Sequence, residues 1–146
     1  NTYGKDGKDI LWFPSQEEYY EYNYNRQYSV ISSRIELNKV SVKVKFPAQA
    51  DFYYPSLTLT IKGVQMDNIK SISANETVTG LTYGNFDKGI SINLDCRGFM
   101  YEHAAQYVDR YLAKKSATNL LDAKYYINAI KDSERKKNLF TKLGIN

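Results

Sequence analysis

An α+β fold is predicted by three features of this 146-residue chain. Apolar side chains alternate with period two through much of residues 28–96, the period moves to about 3.6 after Gly98, and no helical spacer separates the strand-like segments. Strands in one block and helices in the next predict an antiparallel β-sheet or small sandwich over about residues 28–96, followed by a C-terminal helical hairpin. A short N-terminal aromatic helix precedes them. A chain of this length buries roughly 70% of its unfolded surface, so a single domain needs neither disulfide nor metal. The expected divisions are a flexible lead-in over 1–9, an aromatic segment over 10–27, a β region over 28–96 and a helical region over 99–143.

The aromatic segment opens with "ILWFP" and continues into "EEYYEYNYNRQY", which carries five tyrosines in twelve residues. Ser15 followed three positions later by Glu18 has the form of a capping box, and Glu17 and Glu18 suit the positive end of a helix dipole. A helix is therefore expected from about Gln16, ending near Asn25. On it Tyr20, Tyr24 and Tyr28 recur every four residues, and this stripe is expected to pack inward while the other tyrosines face a partner.

In the β region "VSVKVKF" predicts a strand with Val40, Val42, Val44 and Phe46 facing in and Ser41, Lys43 and Lys45 facing out. The preceding run to Leu37 is its partner, with Asn38-Lys39 as the turn or a bulge. "SLTLTIKG" buries Leu57, Leu59 and Ile61; "TVTGLTY" is a fourth strand, "GNFDKG" a turn, and "ISINLDC" a fifth strand presenting Ile90, Ile92 and Leu94. Beyond Gly98, Ala104, Ala105, Val108, Tyr111 and Leu112 line one helix face up to about Lys115. Ser116 or Thr118 caps a second helix with Leu120, Ala123, Ile127 and Ile130 as its stripe. Leu139, Phe140 and Leu143 extend that stripe or start a third segment after Ser133, and Gly144 ends it.

Composition narrows the function classes. Cys96 is the only cysteine, so no internal disulfide forms, and no run approaches the ~20 apolar residues of a membrane helix. Nothing at Asn1 resembles a signal peptide, yet the chain does not begin with methionine. Either a trimmed chain or a processed product that has lost a leader is expected on that ground, and with the sheet-rich build it tilts the expected location weakly toward the outside of the cytoplasm. Asn75-Glu76-Thr77 fits a glycosylation acceptor pattern, which arises often by chance. The net charge of +4 lies wholly in residues 99–146, with nine basic and five acidic groups, whereas residues 1–98 carry eleven of each.

No catalytic or cofactor motif stands out, and no cofactor or metal is expected. "GNFDKG" lacks the Lys-Ser/Thr of a phosphate loop, since Ile90 and Ser91 follow it, and calcium-loop spacing is absent from the acidic stretches. His103 is the sole histidine and could form a thiolate pair with Cys96, the basis of a small cofactor-free enzyme as an alternative reading. Arg135, Lys136, Lys137 and Lys142 on the last helix, with Lys39, Lys43, Lys45 and Lys62 on the sheet, allow a nucleic-acid partner as another. Alternating lysines also keep sheets from associating edge to edge. Fourteen tyrosines exceed what one small core needs, and tyrosine is enriched at interfaces. The sequence thus reads as a non-catalytic module for protein binding or self-assembly, with Trp12, Phe13, Tyr19, Tyr22, Tyr53 and Tyr54 as contact residues.

Overall fold

The computed structural model describes residues 14–48 and 52–145, and its elements are those of an α+β protein. Helix α1 spans Gln16–Tyr28, where the Ser15 hydroxyl accepts from the Glu18 N–H at 3.1 Å, as the capping pattern requires. It runs a turn beyond the expected end near Asn25, closing with a Ser29 N–H to Asn25 C=O bond of 2.9 Å. Strands β1 (Val30–Glu36) and β2 (Lys39–Lys45) form an antiparallel hairpin in which Ile31 faces Val44, Ser33 faces Val42 and Ile35 faces Val40. The turn sits one residue earlier than expected: Lys39 already pairs with Glu36, and Leu37 takes the left-handed conformation at φ 45°.

A second sheet has the order β3–β5–β4, built from β3 (Ser56–Lys62), β4 (Gly80–Phe86) and β5 (Gly89–Asp95), all antiparallel. The fourth strand begins three residues later than "TVTGLTY" suggests and takes in Gly84, Asn85 and Phe86, so the turn contracts to Asp87-Lys88, with Asp87 at φ 50°. Gly89 is required where β5 crosses β3, because a Cβ there would lie 2.1 Å from the Ile61 carbonyl oxygen.

One face of this sheet makes the first core. Leu57, Leu59, Ile90 and Ile92 are buried, covered by Met66, Ile69 and Ile72 of the 63–79 connection and by Val44 and Phe46 from the root of the hairpin. Each such aliphatic side chain contributes about 1.5–3 kcal/mol by leaving water. The expectation that the whole row Val40, Val42, Val44 and Phe46 faces in is corrected. Val40 is 46% exposed, Ile35 75% and Leu37 fully exposed, since the hairpin reaches past the sheet that would cover it.

The second core is helical. Helix α2 (Met100–Ala113), α3 (Ala117–Ala129) and α4 (Glu134–Lys142) bury Ala104, Val108, Ala123, Ile127, Ile130, Leu139 and Leu143 together. Ser116 and Ser133 cap α3 and α4 through Asn119 N–H and Lys136 N–H, both at 3.2 Å. Three helices therefore stand where a hairpin was expected, because Ser133 starts a separate helix instead of prolonging the α3 stripe. Leu112, assigned to the inward face, is 44% exposed. No helix among the described residues is long and apolar enough to cross a membrane.

The face of α1 that turns inward is the polar one. Glu21 is 3% and Asn25 1% exposed, while Tyr20 is 61% and Tyr28 52% exposed. This reverses the expected inward tyrosine stripe. The reason lies in the segment before β3: the buried carboxylate of Glu21 accepts from the Tyr53 N–H at 2.9 Å through Oε1 and from the Tyr54 N–H through Oε2. The buried carboxylate finds its partners in these two peptide N–H groups, which fixes the orientation of the helix.

Candidate functional site

The C-terminal end of β5 meets α1 and the start of α2 in a cluster of charges and rings. Arg97 makes a bidentate pair with Asp95, its Nε lying 2.9 and 2.8 Å from the two carboxylate oxygens, and Glu18 Oε1 is 3.8 Å from its guanidinium. Burial opposes the charge on Arg97, but the hydrogen bonds and charge of Asp95, aided by Glu18, outweigh it and raise an already high pKa. The guanidinium is held as a structural tie. Phe99 lies 5.8 Å from it and stacks on Tyr53, with centroids 4.5 Å apart, while Tyr54 meets both rings edge-on.

Cys96 and His103 do not have the setting of a nucleophile and its base. The Cys96 thiol is pushed from an ordinary 9.0 to about 11, by burial first and the neighbouring Asp95 charge second, so it stays protonated near neutrality. The His103 ring packs edge-on against Tyr107 and Tyr126, at 5.1 and 4.7 Å, and those two tyrosines stack at 4.1 Å. Among the described residues no three of His, Cys, Asp and Glu gather as a metal centre requires.

An open groove of about 530 Å³ lies on the other edge of the sheet, between the 72–76 segment, β4 and the α3–α4 junction. Its walls are brought together by close packing. The Lys131 N–H donates to Thr79 C=O at 2.7 Å, and the Lys131 ammonium donates to Asn75 C=O at 2.7 Å and to Ala74 C=O at 3.4 Å. Gly80 permits this approach: a Cβ there would stand 2.8 Å from the Ala129 carbonyl oxygen. The lining is mixed, with Ile72, Ala74 and Leu81 beside Ser73, Glu76, Thr82, Asp132 and Lys136, and with the half-exposed ring of Tyr83. Lys136 Nζ donates to Asp132 Oδ1 at 3.0 Å, setting a cation and a carboxylate side by side at the mouth.

Four of the six expected contact residues lie among those described, and Tyr53 and Tyr54 are tied to α1 through Glu21. Tyr53 (54% exposed) and Tyr54 (half-buried) sit in the ring cluster, and Tyr19 (57% exposed) and Tyr22 (half-buried) are on α1. Trp12 and Phe13 lie outside the described residues, as does the lead-in over 1–9. On α4, Lys136 and Lys137 pair with Asp132 and Glu134, and Arg135 lies 5.1 Å from the centroid of the Tyr101 ring, so much of the expected basic patch is tied up locally. Lys136 and Glu76 stood out in the sequence for other reasons, but the convergence of the groove residues left no mark because they come from three separate stretches with no common spacing.

The chain folds as an α+β protein with an open groove on the β4 side of its three-stranded sheet. The family model described as "Putative polysaccharide deacetylase" matches residues 1–144, and the chain belongs to that family. No curated protein matches it. This membership overturns the reading of a non-catalytic binding or assembly module, and with it the expectation that the protein is not an enzyme. It points to an enzyme that modifies carbohydrate. The error has a physical source: residues that bind a sugar chain are dispersed hydroxyl, carboxylate and ring groups, which leave no short motif.

Proposed function

We propose that the protein takes part in hydrolytic removal of acetyl groups from a polysaccharide, and that the β4/α3–α4 groove receives the sugar chain. The observation that carries this reading is the family match over residues 1–144. Deacetylation adds water to the acetyl carbonyl, passes through a tetrahedral oxyanion, and releases acetate as the bond to the sugar oxygen or nitrogen breaks. Holding the polymer in a fixed pose is a large part of such a task. The groove offers the Tyr83 ring as a stacking face, Thr82 and Ser73 as hydroxyl partners, and Glu76 and Asp132 as acceptors for sugar hydroxyls. The Lys136 ammonium, 3.0 Å from Asp132, orients that carboxylate.

The test is acetate release from acetylated xylan, partially acetylated chitosan and acetylated peptidoglycan glycans, with Tyr83→Ala and Asp132→Asn beside the wild type. Each substitution should lower release by roughly tenfold, the equivalent of about 1.4 kcal/mol of lost binding. No acetate from any of these polymers would overturn the reading. Release unaffected by both changes would take the sugar out of this groove.

A further inference from the structure

We propose that the apolar face of the β1–β2 hairpin is the contact surface of a weak two-fold dimer of this chain. The surface shares no residue with the groove and does not depend on the deacetylation reading. Ile31 pairs with Val44, Ser33 with Val42 and Ile35 with Val40, and alternation along each strand puts these six side chains on one face. At its root this face joins the first core through Val44, which packs against the buried residues of the three-stranded sheet. Beyond Val44 the row continues into water, with Val42 36%, Val40 46%, Ile31 52% and Ile35 75% exposed.

The hairpin has little else to hold it. Every residue of β1 and all of β2 except Val44 are exposed, and among the described residues the two strands pair only with each other. A two-stranded ribbon is marginally stable in water by itself. Four β-branched side chains in one uncovered row form a contiguous apolar patch, and patches of that kind mark contact surfaces.

Charge and area together select a second copy as the occupant. The apolar face holds no ionisable group and a single hydroxyl, Ser33, whereas Arg34, Glu36, Lys39, Lys43 and Lys45 stand on the opposite face. Two copies meeting face to face about a two-fold axis interdigitate their aliphatic side chains and keep every one of these charges outside, in water. Edge-to-edge pairing is disfavoured, because it brings the β2 lysines of one copy beside those of the other. A polyanion would meet the cationic face and leave the apolar one bare. The uncovered row offers roughly 500 Å² per copy, so a dimer buries on the order of 1,000 Å², the area at which specific interfaces begin. That area fits a reversible dimer and extends the first core past Val44.

The test is sedimentation velocity of the whole chain from about 5 µM to about 500 µM, a range that brackets a weak reversible interface. Wild type should pass from monomer to dimer within it. Ile35→Lys/Val40→Thr places a charge in the proposed contact at a pair already exposed, with circular dichroism as the check on folding. It should weaken association roughly a hundredfold or more. Lys43→Gln, on the opposite face, should leave association within about twofold of wild type. Should the double variant lose its fold, the isosteric Val42→Thr keeps strand propensity and should still weaken the dimer about fivefold. A wild type that stays monomeric throughout overturns the proposal. So does a dimer that survives the substitutions on the apolar face, or one that Lys43→Gln weakens as much as they do. A monomer that instead floats with phosphatidylglycerol vesicles, and ceases to do so in the double variant, assigns the face to a lipid surface and also overturns it.

Discussion

Replacing Glu21 should destabilise the protein more than any other change at an acidic position of α1. Its carboxylate is 3% exposed and accepts both the Tyr53 and Tyr54 N–H groups, so Glu21→Ala removes the charged acceptor of two part-buried peptide donors. An orphaned buried donor costs about 1–3 kcal/mol, and hydrogen bonds to a charged group contribute about 1.5–3 kcal/mol each. The expected loss for Glu21→Ala is therefore about 3–5 kcal/mol. Glu21→Gln keeps one acceptor oxygen but sets an amide N–H₂ against the second donor, for an expected loss of about 2–3 kcal/mol. Urea titration followed by circular dichroism measures both. With a slope of about 1.5 kcal/mol per molar, within the usual range for small proteins, a loss of 3 kcal/mol lowers the midpoint by about 2 M. The exposed Glu17→Gln is the control, expected to stay within about 0.5 kcal/mol of wild type. If Glu21→Ala unfolds within about 0.5 kcal/mol of wild type, the carboxylate does not fix the orientation of α1, and the account of its reversed face fails.

Other expectations follow from single positions. The Cys96 thiol, raised to about 11, should react slowly with a disulfide reagent at pH 7.5, and its rate should climb about tenfold per pH unit until the pH approaches 11. By linkage its raised pKa adds stability that is complete below 9.0 and lost as the pH rises toward 11, which denaturation of Cys96→Ala against wild type across that window would detect. Leu37 is fully exposed at φ 45°, so Leu37→Asn should raise stability by about 1 kcal/mol, read as a higher melting temperature. Leu139→Ala, at a side chain with no exposure in the helical core, should cost about 2–5 kcal/mol in chemical denaturation.

Most of the element order was legible because its signals are local. Period two in "VSVKVKF" and "SLTLTIKG" marks strands whichever partner they take, and Ser15, Ser116 and Ser133 cap helices through bonds that span three residues. The misplaced elements have local causes as well. "GNFDKG" resembles a turn by composition, yet its first three residues, Gly84, Asn85 and Phe86, pair in register with Ser91, Ile90 and Gly89 of β5. Here the hairpin ladder overrode the turn propensity of Gly84 and Asn85. The separate helix after Ser133 went unresolved because its stripe continues the period of the helix before it.

The candidate site was not legible, for a different reason. Ser73, Glu76, Tyr83 and Asp132 converge only because the start of β4 packs against the end of α3 at Gly80 and Lys131 ties the 72–76 segment to them. The sequence by itself determined the α+β class, the strand and helix periods, the caps, and the lack of an internal disulfide. All of these depend on residues a few positions apart or on composition. Tertiary structure decided which face of α1 is buried, how far the β1–β2 hairpin stands free of the sheet, and where the groove opens. Those outcomes turn on partners more than thirty residues away, such as Glu21 with Tyr53 and Tyr54, whose peptide N–H groups carry no mark in the sequence of what they will bond.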